Sequence, residues 1–381
     1  MCNVCQHDSK SGHVKICRRQ AIKTAFGIAA AVAAGGLEIW KLAPGAQAAN
    51  HAPTVIGCGT WGARPSRGPI PVLASKPKKI IVHHTAFPNS TDYTLGHACK
   101  LARDIQNLHM GTNGWIDTGQ HFLVSRGGYL LEGRHRSLET LQTGDRMVLG
   151  THCPGMNNEA IGIENEGTYI NHLPPKLLWN SLVDLCVLVC QQYGLNANVI
   201  FGHWDFKLTE CPGRAFYRLF PELRRQVATR LQRIYEIPLR TWPDQHATMG
   251  GPVVRVLQHL LNAQGIQLPV NGVFSAQMKL RVQAFQATKG IIADGYTRNN
   301  TWEALVMPLK KQPQGMATTA IQELLQHKGY AVRVNGSYDA ATRKAVQEMQ
   351  KLHGLVPNGQ VDVDTWCAIV GGIVKAEFTN S

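Results

Sequence analysis

Four side chains in this sequence are of kinds that bind metal ions and stand where a fold could gather them. His83 and His84, followed by Thr85, close an apolar run that starts at Lys79. Far downstream, His203 and Cys211 lie eight residues apart within GHWDFKLTECPG. That separation lets a strand end and the loop after it aim two ligands at one point. A hydrolytic zinc site takes three protein ligands from His, Cys or carboxylate and leaves a fourth position open for water. Neither fragment is specific alone. A His pair after a strand is more often structural than catalytic, and a lone His-x7-Cys is a weak signal.

These residues need rigid elements to hold them. Residues 79–83, 120–125, 161–164 and 199–201 read as strands, while 98–110, 177–193 and 222–234 carry helical periodicity. Strands alternating with helices predict an α/β layer fold with a mixed central sheet and flanking helices. Pro238 and Pro243 mark a linker over 235–246 after a first mature domain over 49–234.

Beyond the linker the chain repeats itself. Leu257-Gln258, Asn271-Gly272, Val282-Gln283 and Thr301-Trp302 recur as Ile321-Gln322, Asn335-Gly336, Val346-Gln347 and Thr365-Trp366, always 64 residues on. One frame held over that distance is hard to obtain by chance. Each copy reads as a small three-helix domain.

The first 48 residues read as an address. Arg18-Arg19 and Lys23 precede an uncharged Ala/Gly-rich run from 24 to 37, and Ala46-Gln47-Ala48-Ala49 offers a small-residue cleavage site. The run falls short of the roughly 20 apolar residues of a membrane span. The paired arginines resemble a twin-arginine export signal. Export is therefore expected, to the periplasm, wall or medium, with no stable membrane span once the signal is removed.

The 381 residues carry 39 Lys+Arg against 25 Asp+Glu, a net +14, with 44% hydrophobic residues. The apolar content excludes a disordered chain. Residues 1–48 hold six Lys/Arg and two acids, so the remainder carries +10. That balance calls for an anionic partner. No zinc finger, helix-turn-helix or basic run with interleaved aromatics is present, so nucleic acid is not expected and an anionic wall polymer is. Of ten Cys, three leave with the address. Cys186 and Cys190 share a helix face and pack as small apolar groups, as does Cys367. Two of Cys58, Cys99 and Cys153 could pair.

The flanks of the metal-binding residues are distinctive as a set. WGARP (61–65), IIVHHTA, GWIDTGQHFLVSRGGYLLEGR, His152, AIGIE and GHWDFKLTECPG follow in one order over about 170 residues. This set resembles the zinc-dependent type 2 N-acetylmuramoyl-L-alanine amidases, a family that includes peptidoglycan recognition proteins. The repeats at 247–306 and 313–372 resemble peptidoglycan-binding type 1 domains, which implies wall anchoring. The resemblance places Zn2+ on His83, His203 and Cys211, with His84 beside the site. It implies cleavage of the amide between N-acetylmuramic acid and L-alanine in peptidoglycan. Many members carry Tyr where this chain has Gln120, which cannot act as a base. A related branch without the Tyr uses a glutamate in the matching IGIE segment, which makes Glu164 the expected base, ahead of Glu166. Thr209 falls where relatives place an oxyanion-stabilising Thr or Lys, and His152 is expected to contact substrate or developing charge. The alternative is a non-catalytic peptidoglycan receptor. Pure receptors of the family typically lack the Cys ligand, which this chain has. A monomer is expected.

Overall fold

The computed structural model describes residues 53–309 and 314–379. The export-type segment, residues 1–48, lies outside the described residues. A six-stranded mixed sheet forms the first layer. Its strands are β1 (Val55–Ile56), β2 (Lys79–His84), β3 (Phe122–Val124), β4 (Leu130–Glu132), β5 (Ala160–Asn165) and β6 (Ile200–Gly202), in the order β1-β4-β3-β5-β2-β6. All pairs are parallel except β3 with β4. The central strands β2 and β5 are apolar along most of their length because both faces are covered, as parallel strands require. They align so that His83 lies beside Glu164 and His84 beside Asn165.

Helices α1 (Leu95–Asn107), α2 (Lys176–Tyr193) and α3 (Phe220–Leu231) flank this sheet. On α2, Leu178, Leu182, Leu185, Val189 and Tyr193 recur at helical spacing and all are buried, with Cys186 and Cys190 in the same core. Those two thiols are free, as are the buried Cys58, Cys153 and Cys367. Cys58 and Cys153 belong to different core clusters. The three-residue β4 was not expected from the sequence: it follows Gly127-Gly128 and is too short to show a period.

The two repeats fold alike. The first holds α4 (Pro252–Ala263), α5 (Ala276–Thr288) and α6 (Asn299–Leu305); the second holds α7 (Met316–His327), α8 (Ala340–Leu352) and α9 (Val363–Ile369). Their matched residues do the same work. Gln258 Oε1 accepts from the Asn271 and Gly272 amides at 3.0 and 2.8 Å, and Gln322 Oε1 accepts from Asn335 and Gly336 at the same distances. Trp302 Nε1 donates to Pro243 O and Trp366 Nε1 to Met307 O, residues again 64 apart. The recurring Gln and Trp are buried groups that tie each repeat's loops to its helices, which is why they keep their frame.

The repeats pack directly on the first domain. Residues 240–241 pair with 373–374, and Trp242 stacks on Trp302 at 5.4 Å. The segment read as a linker is therefore structured over these residues. Arg224 of α3 meets Glu377 of α10 (Ala376–Thr379) at 2.7 Å, and His353 meets the same carboxylate at 2.6 Å. Burial pushes the Glu377 pKa up, but the Arg224 charge and His353 hold it below its usual value. Breaking one side of such a buried pair costs about 3–5 kcal/mol. Among the described residues no helix is long and apolar enough to cross a membrane.

Candidate metal centre

His83 comes from the end of β2, His203 directly follows β6, and Cys211 closes the loop after it. One donor atom from each lies within 4.8 Å of the other two. The Cys211 Sγ is 3.6 Å from His83 Nδ1, and the His83 and His203 rings are 4.4 Å apart. Strand alternation sends the neighbouring His84 elsewhere. Its Nδ1 accepts from the Tyr169 amide at 3.2 Å, and burial lowers its pKa to about 4. His84 contributes its backbone instead, with its amide donating to Cys211 Sγ at 3.3 Å.

A chain of hydrogen bonds sets the His83 tautomer. The Ala160 carbonyl can only accept, so His152 Nε2, 3.2 Å away, carries a hydrogen. Burial holds the pKa of His152 and His83 well below the usual range, so both rings are neutral. His152 Nδ1 therefore accepts from His83 Nε2 at 3.0 Å. This leaves a lone pair on His83 Nδ1, the nitrogen that faces Cys211. Both His152 nitrogens are engaged, so the ring backs His83 rather than pointing into open space. The ring packs against Gly162 of β5, where a Cβ would sit 2.5 Å from His152 Cγ. Only glycine leaves room for it.

The two candidate carboxylates separate cleanly. Glu166 is buried with both oxygens used, accepting from His97 Nε2 and from the Arg126 amide, each at 2.7 Å. Glu164 stands beside His83 in the sheet, and its Oε2 is buried with no hydrogen-bond partner. Burial pushes its pKa up to about 8. Thr209 Oγ1 accepts from the Cys211 amide at 3.1 Å, so its own hydrogen is free to be donated elsewhere. Gln120 is buried, and its Oε1 has no partner either.

Sequence reasoning missed two supports. Asn165 Nδ2 donates to His83 O at 2.8 Å and fixes the strand end. Asp205 accepts from the Gly202 amide at 2.8 Å and from Tyr217 Oη at 2.7 Å, which anchors the turn carrying His203. The available signal was Asp205 two residues after a ligand-type His, where a short acceptor often closes a tight turn.

This donor set suits zinc. Two neutral imidazoles and one thiol converge, and an unpaired carboxylate waits beside them. Burial, then the nearby Glu164, holds the Cys211 pKa well above its ordinary value. Metal binding must then expel the thiol proton, and a nearby dication also draws the proton from Glu164. Zinc affinity should rise about tenfold per pH unit for each proton released. The rise should be steeper below about pH 8, where Glu164 still holds its proton. Competition titrations from pH 6 to 9 check this; a pH-independent affinity would contradict it.

With this geometry in place, the comparisons with known proteins decide the family. Residues 73–214 match the model of N-acetylmuramoyl-L-alanine amidase. Residues 73–214 belong to that family. Residues 250–305 and 314–369 each match a peptidoglycan binding domain. The chain is similar to a human N-acetylmuramoyl-L-alanine amidase, 31% identical over 193 residues, covering 50% of this chain and 28% of that one. It is similar to peptidoglycan-recognition protein LB of Drosophila melanogaster, 31% identical over 170 residues, covering 43% of this chain and 64% of that one. The amidase-family portion thus spans less than a third of the human relative. Among solved structures, Drosophila PGRP-LB is 27% identical with a TM-score of 0.38, over 45% of this chain and 92% of that one. The amidase LysC from Clostridium intestinale is 24% identical with a TM-score of 0.36, over 47% and 98%. Residues 73–214 are thus similar to both peptidoglycan amidases and peptidoglycan recognition proteins.

Proposed function

We propose that the protein is an exported, zinc-dependent N-acetylmuramoyl-L-alanine amidase that cuts the amide between N-acetylmuramic acid and L-alanine while its repeats hold the wall. The observation that carries this reading is the pairing of a three-donor cluster with a partly exposed carboxylate, Glu164, whose Oε2 is buried and unpartnered. A receptor has no use for a base at that point, and leaving one buried without a partner costs about 1–3 kcal/mol or more. His83, through Nδ1, His203 and Cys211 would hold the zinc, which supplies Lewis-acid polarisation of water and of the scissile carbonyl.

The chain's own residues do the rest. Glu164 Oε2 takes the proton of the attacking water and passes it to the leaving amine of L-alanine. Thr209 Oγ1, already satisfied as an acceptor, donates to the oxyanion as it develops. His152 holds the His83 ring in its ligating tautomer, a positioning role rather than substrate contact. Gln120 cannot take the basic role of Tyr, so proton transfer falls to Glu164. Export rests on the Arg18-Arg19 and Ala46–Ala49 signals in the sequence. The test is zinc titration of metal-stripped protein. One ion per chain with hydrolysis of soluble muropeptides restored is expected. Stoichiometric zinc without hydrolysis would return the chain to the receptor reading.

A further inference from the structure

The segment from His203 to Cys211 supplies two of the three donors, yet its one regular element is a single turn of 3-10 helix at His203–Asp205. Much of what holds it comes from outside. Gln245 is fully buried, and its Nε2 donates to Asp205 O at 2.8 Å. The Gly250 amide donates to Phe206 O at 3.3 Å, and Lys207 Nζ donates to Thr248 O at 3.3 Å. From the second repeat, the His327 ring tilts against Trp204 with centroids 4.7 Å apart. At Gly251, which precedes α4, a Cβ would lie 2.7 Å from both C and O of Lys207. Backbone is pressed on backbone in the middle of the ligand-bearing loop.

We propose that the linker and the docked repeats are positioning elements of the metal centre: through Gln245 of the linker, and Gly250-Gly251 and His327 of the repeats, they fix the 203–211 loop and so the spacing of His203 and Cys211. The region read as a wall anchor is then also part of the scaffold of the site. The consequence for catalysis rests on the amidase reading above; the clamp itself does not.

The internal repeat supplies a matched control. Gly251 and Gly315 occupy the same position 64 residues apart. Both have positive φ, 116° and 107°, and both amides donate to the equivalent carbonyls, Gly272 O and Gly336 O. A Cβ on Gly315 meets no described atom within 4 Å. Alanine therefore imposes a similar backbone strain at both sites but presses on the loop only at 251.

Gly251→Ala and Gly315→Ala should be compared in the full chain by three readouts. These are amide hydrogen exchange over 204–210 in zinc-free protein, zinc affinity by chelator competition, and Tm. Both should lose Tm, Gly251→Ala more, because only there does the added methyl press on Lys207. Only Gly251→Ala should speed exchange across 204–210, and it should weaken zinc at least about tenfold, the lower end for losing an outer support of a metal site. Gln245→Ala, which removes the bond to Asp205 O without strain, should speed the same exchange. It carries the test if Gly251→Ala does not fold. Equal exchange and equal zinc affinity in the two glycine variants, with Gln245→Ala like the parent, would overturn the clamp. If the parent itself binds no zinc, the amidase reading fails, while exchange over 204–210 still decides the clamp.

Discussion

In Cys211→Ala, zinc retention should collapse and wall hydrolysis should disappear while the protein still sediments with insoluble wall. Sγ is one of three donors within 4.8 Å and the only one that brings negative charge when deprotonated. Its loss leaves two neutral imidazoles, too few for a closed three-ligand set. The effect on affinity should exceed the roughly 10–100-fold that removal of an outer support costs. His152→Ala is the internal comparison. It removes the acceptor of His83 Nε2–H but no donor, so its loss should stay within that smaller range. Zinc content by atomic absorption after gel filtration, alongside wall pelleting, reads both variants. Full hydrolysis by Cys211→Ala would remove the assignment of the metal. Pelleting should persist because the two repeats share one core, which contains Trp302 and Trp366 and is separate from the core around the sheet.

Glu164→Gln should slow hydrolysis by about 10²–10⁴-fold, the usual contribution of a positioned general base. The substitution keeps shape and hydrogen-bonding capacity but cannot accept the proton. Zinc stoichiometry should be unchanged, since Glu164 is not one of the three clustered donors. The loss should fall on kcat rather than KM, because the missing proton transfer belongs to the transition state. Glu166 serves as the contrast. Its two oxygens are committed to His97 and Arg126, so Glu166→Gln should report on stability and not selectively on kcat. A near-normal rate in Glu164→Gln would pass the role to another group.

Much of the site could be read in the sequence because each part sits in a segment with a strong local pattern. The apolar run ending in His83-His84 read as a strand, and strand alternation then allows only one of the pair to face a given partner. His203 and Cys211 were visible through their chemistry, and the structure brings them to His83. Choosing Glu164 over Glu166 from residues alone was not possible, since both face one side of a strand. Tertiary contacts from His97 and the Arg126 amide make the difference. His152 was visible as a residue but not in orientation. Its position behind His83 depends on the bare backbone of Gly162 in a different strand.

The 64-residue repeat was legible because it rests on buried residues that cannot drift, such as Gln258 and Gln322. How the repeats sit could not be read. Pro238 and Pro243 mark the end of one domain, and nothing in a linear pattern shows that Trp242 will stack on Trp302 or that Arg224 will find Glu377, 153 residues away. The excess of positive charge outside residues 1–48 suits an anionic polymer. It does not reveal that Gln245 and His327 pack on the loop that carries His203 and Cys211.

The bond that is cut carries the central claim. Purified peptidoglycan digested with the full-length zinc protein should be analysed by mass spectrometry with labelling of newly exposed amines. Release of stem peptides with a free N-terminal L-alanine, leaving glycan strands with unsubstituted lactyl carboxylates, is the predicted result. Wall that binds the protein yet yields no new L-alanine amino termini, or that is cut in the glycan or within the peptide, would contradict the account.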